Sequence, residues 1–452
     1  MKKPILRISV ALTALLPSIA FSVTHNVLPD QSIQSVVNAA SAGDQIIIAG
    51  GSYSEDLTIN KNLDFRREAG TSVHLSGNVT FSGITGTFVF AHFRVGSDDT
   101  KSLTITNCDN VFLEDVNASG GGGLNSSGSK VYAYDCSFGS ATFSNSNWTM
   151  QECQITGNVS SSNSNTKILR CTLNGDLNHQ TGQNFTCTVF QSTVQGDIST
   201  VAKRSWFGYN DLQAISISGS AEEAEIVGNS FILGSPYDKI TVNAPSLVIY
   251  VRNNLIVEDD GLLVQAGTKI RVHNNIFFDL RKGIEVLPAA GEIEVIGNVF
   301  MDIDSAVTAP FEAGGCQYNF IADSSSALVS YYFVGGVVQS DNLIEKPSSQ
   351  NGWNPAKFAN LTSSNRYNAN DNFELSGNSP LKNAGSPQPE FKNHGGTRQD
   401  IGLYGGHHYD REGKTTDKPV ILSAEVSPNR IYNGGSGTIK IKSRAAVSTP
   451  KQ

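Results

Sequence analysis

Charge is scarce in this chain: 16% of its 452 residues are Asp, Glu, Lys or Arg, while 39% are hydrophobic. Soluble domains of this size usually carry about 25% charged residues and more helix formers. The apolar content excludes a disordered chain, and the shortage of charged helix formers excludes a coiled coil. Long apolar runs are missing too. The best of them, 8–16, is well short of the roughly 20 residues a bilayer span needs, so no membrane insertion is expected. The six cysteines show no Cys-x-x-Cys and no Cys/His spacing of the zinc type. Basic residues (33) are outnumbered by acidic ones (41), for a formal net charge of −8. Bulk electrostatics therefore argue for no nucleic-acid partner, and any polyanion must meet a local basic patch.

The amino terminus has the parts of a bacterial secretory signal: basic Lys2, Lys3 and Arg7, the apolar run, then Ser18-Ile-Ala20 or Ala20-Phe-Ser22 as a small-x-small cleavage site. Residues 1–22 are expected to be a signal peptide. The mature protein is expected to be a secreted monomer, located outside the cell, on its surface or in the periplasm of a bacterium.

What is abundant is Gly, 43 residues of it, with Ser, Thr and Asn, spread from about residue 70 to residue 400 without a compositional break. That evenness predicts one long repetitive β-rich body instead of several domains. A register of one residue per repeat runs Phe93, Val116, Cys136, Cys153, Cys171, Cys187, Asn210, Asn229, Asn254, Asn275, Asn298 and Asn319, spaced 16 to 25 residues apart. Two positions beyond each stands an apolar residue, from Val95 to Ile321. Three positions before each, only Asn184 is not apolar. Each repeat reads as a short strand, a polar bend and a second short strand, as in Ile293-Glu-Val295-Ile-Gly-Asn298-Val-Phe300. Such strands bury a face only when stacked coil on coil at about 4.8 Å, which predicts an all-β parallel β-helix solenoid over residues 23–406.

Stacked Asn side chains can hydrogen-bond along the axis, so the Asn column is expected to be structural. Cysteines at one-coil spacing are close enough to pair, but side chains in a parallel register point the same way. Free, buried thiols are therefore expected. At the start, residues 31–48 predict an amphipathic helix stopped by Gly43 and followed by a strand, which would cap the first coil. After Gly406, residues 407–419 read as a polar linker, whose His407 and His408 are expected to be solvated. Residues 420–452 read as a partial immunoglobulin-like or docking β segment, too short for a whole sandwich.

The helix-Gly-Asp-strand opening with Gly51-Ser-Tyr53-Ser-Glu55, the Asn bends, and the closing stretch Ser379-Pro-Leu-Lys-Asn-Ala384-Gly385 with Arg398-Gln-Asp400-Ile401-Gly402-Leu-Tyr404 resemble the secreted right-handed β-helix proteins of the pectin lyase superfamily over about residues 27–406. The resemblance implies a right-handed parallel β-helix with an extracellular polysaccharide as partner. That superfamily also holds adhesins, so a non-catalytic surface protein stays open beside a polysaccharide lyase.

Chemistry in a solenoid must sit in clusters of outward side chains on neighbouring coils. The register places Tyr250, Arg252, Arg271 and His273 on one strand face over two coils. Guanidinium groups there would clamp uronate carboxylates, and Arg252, His273 or Tyr250 could take the proton beside a carboxylate, the first step of β-elimination. Glu225 and Glu294 on the flanking coils could instead neutralise the arginines. A second column, Glu258, Asp279, Asp302 and Asp323, stacks like charges, for which Ca2+ is a candidate cofactor; Arg281 and Lys282 could compensate without a metal. Glu258-Asp259-Asp260-Gly261 with Arg281-Lys282-Gly283 is similar in layout to polygalacturonases, a glycoside hydrolase alternative, but their histidine segment is missing.

Overall fold

The computed structural model describes residues 22–96, 101–120, 122–180, 184–234, 238–309, 315–322, 333–335, 338–345, 354–363, 366–393, 396–406, 420–427 and 440–446. Residues 1–21 of the expected signal peptide, the linker 407–419 with His407 and His408, and Asp323 lie outside the described residues.

The chain winds as an all-β parallel solenoid of about 14 turns. A typical coil has three strands, such as Leu124–Ser127, Lys130–Tyr134 and Ser137–Phe138. Each pairs in parallel with its equivalent one coil on, Ala141–Ser144, Asn147–Gln151 and Gln154–Ile155. Along Lys130–Tyr134 burial alternates, with Val131 and Ala133 inside and Lys130 exposed, as a strand with one wet face requires. Further along, the third strand of one coil and the first of the next fuse into long strands, Ile276–Val286 and Val299–Ala309, in register from Ile276–Val299 to Glu285–Thr308.

Inside, Ile226, Val251, Val272, Val295 and Cys316 stand directly above one another, all at no solvent exposure. The rings of Phe277 and Phe300 stack at 4.9 Å and 8°. Burying a side chain of this size contributes about 1.5–3 kcal/mol, so each added coil strengthens one continuous core.

At the bend after the second strand the expected Asn ladder is present. Each Oδ1 accepts both the backbone N–H and the Nδ2–H of the preceding rung through Asn210, Asn229, Asn254, Asn275, Asn298, Asn319 and on to Asn342. One rung differs from expectation. Cys187 pairs with Thr166 inside the strand Thr186–Phe190, and the bend residue of that coil is Ser192. Ser192 Oγ accepts from the N–H of Cys171 at 3.0 Å, and its own N–H donates to Asn210 Oδ1 at 2.8 Å. Val189 and Val194 then fill the flanking apolar places, and the exposed Asn184 drops out of the column. All six cysteines are free and buried.

The first helix is shorter than predicted, Ile33–Ala39, with Ile33 and Val37 buried and Gly43 (φ +92°) in the turn beyond it. Glu55 from the next coil accepts Ser32 Oγ–H at 2.7 Å and the N–H of Ile33 at 2.6 Å, a carboxylate on the helix's free amides. Residues 354–363, 366–393 and 396–406 return over the outside of the late coils. Ala356, Phe358, Phe373, Leu381 and Ile401 form a second core there with Val257, Ile276, Phe278, Val299 and Met301. Asn253 Nδ2 donates to the Leu403 and Gly405 carbonyls at 2.7 and 2.9 Å, and Asn274 Nδ2 to the Asp400 carbonyl at 2.9 Å. Gly402 passes so close, at φ +98°, that an added Cβ would meet Val299 Cγ2 at 3.0 Å. The last strands, Val420–Ser427 and Lys440–Ala446, form an antiparallel pair.

Candidate functional site

The register brings the four predicted residues together. Tyr250 stands opposite Arg271, and Arg252 opposite His273. Their expected exposure is corrected, since the Arg252 and His273 side chains are only 13% and 8% exposed. The returning segment reaches His273, with Phe391 edge-on to its ring at 5.2 Å. Their charges are paired: Arg252 with Glu225 at 3.7 Å, Arg271 with Glu292 and Glu294 at 3.2 and 3.3 Å, and His273 Nε2 with Glu294 Oε1 at 2.7 Å. Arg252 also lies over the Tyr250 ring at 4.1 Å. Burial holds His273 below the usual histidine range against the pull of Glu294, while the His273 hydrogen bond holds Glu294 below the usual carboxylate range. A polymer would meet Phe391 at His273 and compete with three glutamates for the arginines.

Glu258, Asp279 and Asp302 occupy left-handed bends (φ +62°, +59° and +52°) and line one cavity of about 300 Å³ with Asp259, Arg281 and Asp304. The Asp279 carboxylate accepts the N–H of Tyr367 at 3.1 Å. Among the described residues no three of His, Cys, Asp and Glu converge to hold a metal ion, and Asp323, the fourth carboxylate of the candidate Ca2+ column, lies outside them.

Beside that cavity lies a group that spacing alone did not reveal. Asp238, Asp260 and Lys282 hold successive places in one column. Lys239 has no exposure; its ammonium donates to the Leu233 carbonyl at 3.0 Å and lies 3.7 Å from Asp259, whose side chain is 41% exposed. Burial pushes Lys239 below the ordinary lysine range, against the pull of Asp259 and Glu258. Burial, then Asp260 and Glu285, raise Asp238, while the hydrogen bond to Glu285 at 2.7 Å raises Lys282. Arg281 pairs with Asp260 at 2.8 Å. Opposed shifts within one cluster are a mark of functional sites as well as of ion-pair networks. The dipeptides Asp238-Lys239, Asp259-Asp260 and Arg281-Lys282 at coil spacing were the available signal. The first of them escaped because it lies outside the key column of the repeat.

No family model and no curated protein matches the sequence. Among solved structures, the crystal structure of pectate lyase Pel9A is similar at 15% identity, covering 86% of this chain and 98% of that one, with a TM-score of 0.25. A likeness at that score carries no chemistry across, and the parallel β-helix stands on the coil register itself.

Proposed function

We propose that the chain acts on an acidic polysaccharide outside the cell, cleaving it by β-elimination at the cavity lined by Asp259 and Arg281, with Lys239 behind Asp259 and Lys282 beside Arg281. The observation that carries this is Lys239, a lysine whose hold on its proton is weakened by burial and which stands behind an exposed carboxylate. Elimination needs a proton acceptor near the carbon beside a uronate carboxylate, and cations to meet the charge that develops there. Arg281 and Lys282, 69% and 43% exposed, supply the cations by exchanging Asp260 and Glu285 for substrate carboxylates. Lys239 first gives its own proton to solvent; Asp259 then takes the substrate proton and passes it to the neutral Lys239 amine. The C–H electron pair becomes the new double bond as the glycosidic C–O bond breaks, and the departing oxygen is protonated by solvent.

The test is incubation with pectate, alginate and chondroitin sulfate while following the ultraviolet absorbance of unsaturated product. Lys239→Met and Lys282→Gln should each lower the rate at least tenfold. Wild-type rates in Lys239→Met, or an inactive wild type, would overturn the proposal. One observation favours hydrolysis as a second reading: Asp238, which burial pushes above the usual carboxylate range, is the cross-strand partner of Asp260, which Arg281 pairs. An acid and a base so placed would release reducing ends with no ultraviolet signal.

A further inference from the structure

The cations of both clusters above are already paired with carboxylates. A different arrangement occurs several coils earlier, on the outer face of the second strands. There Val89, Phe112, Tyr132, Thr149 and Lys167 stand one above the other in an outward column. Val89 and Phe112 are among the few large apolar side chains left exposed, at 48% and 39%. The Phe112 and Tyr132 rings stack at 4.7 Å and 12°, forming a flat ledge along the axis, and Lys130 lies over the Tyr132 ring at 5.7 Å. Lys130 and Lys167 are exposed and make no salt bridge among the described residues.

From these features we infer that this ledge is a binding platform for an anionic polysaccharide lying along the solenoid axis, separate from the cavity at Asp259 and Arg281. An exposed aromatic pair leaves apolar area in water, which a partner with an apolar face would cover. A pyranose ring has such a face in its axial C–H groups, and the coil repeat of about 4.8 Å is close to the length of one sugar unit. Lys130 and Lys167, two coils apart, meet negative groups on the polymer at about 10 Å spacing, roughly every second sugar. Cations next to an aromatic ledge select an anionic chain over a neutral one, and a net charge of −8 on each molecule opposes association with a second copy. The substrate class rests on the function proposed above, whereas the platform rests on its own residues.

The experiment is affinity electrophoresis of the full chain through gels containing polygalacturonate, alginate or neutral dextran, with gel filtration alongside. The wild type should be retarded by at least one acidic polymer and not by dextran. Phe112→Ala/Tyr132→Ala should weaken that binding at least tenfold, and Lys130→Gln/Lys167→Gln should weaken it and flatten its salt dependence. Both should keep the wild-type thermal midpoint, because these side chains point outward, and the wild-type rate on short oligosaccharides. Wild-type retardation in Phe112→Ala/Tyr132→Ala would overturn the inference, as would no retardation of the wild type. A dimer that this variant dissolves would overturn it in favour of an interface between copies. Loss of retardation in Phe112→Ala/Tyr132→Ala upholds the platform even if no polymer is cleaved. Retained retardation with lost cleavage in Lys239→Met places binding and chemistry at separate sites.

Discussion

Replacing Asn275 by Leu tests the ladder most directly, because its partners are all known. Asn275 Oδ1 accepts the Asn254 N–H and Nδ2–H, both at 2.9 Å, and its Nδ2 donates to the carbonyls of Val251 and His273 and to Asn298 Oδ1 at 2.8, 3.1 and 2.9 Å. Asn254 Nδ2 keeps the Ile226 carbonyl, and Asn298 Oδ1 keeps the Asn275 N–H. The Asn254 N–H loses its acceptor and the Val251 carbonyl loses this donor, both at fully buried residues. The Val251 carbonyl keeps its place in the strand ladder, so one group is left unsatisfied and the change costs about 1 to 3 kcal/mol. Asn275→Ser should recover part of that, since Ser192 shows that a hydroxyl can receive the preceding N–H while it cannot reach as an amide does. Guanidinium unfolding gives the total, and hydrogen exchange at the Asn254 amide gives the local part. A loss under about 1 kcal/mol for Leu, or a Ser variant no better than Leu, would refute the claim that the amide ladder holds the coils in register.

Burial depresses His273, so the folded state favours its neutral form. Its contribution to stability should be complete above the unfolded value of 6.5 and decline as pH falls below it, and His273→Gln should flatten that decline in thermal melts from pH about 7 to 5. Burial also raises the thiols of Cys187 and Cys316, each to about 12, and encloses all six cysteines. A thiol reagent should therefore label none of them in the native protein and six in the unreduced, denatured one; fewer than six would show that some are paired.

The strand pattern, the Asn ladder and the inward residues were legible in the chain because a solenoid makes neighbours in sequence neighbours in space. The same local alternation recurs at each coil, and the coils before and after supply its pairing partners. The one slip, at Cys187, arose where a coil uses Ser at the bend, so that no repeated residue type marked the position. The proximity of Tyr250, Arg252, Arg271 and His273 also followed from periodicity. Their burial did not, because it depends on residues that periodicity does not connect: Phe391 against His273, and Asn274 bonded to Asp400 across 126 positions. Lys239 shows the same limit, since a lysine in a strand pattern gives no sign that its ammonium will be enclosed beside Asp259. Repetition alone determined how the chain stacks. Which outward side chains stay in water was decided by the tertiary structure, because a returning segment can cover any face and its landing place is set by long-range packing.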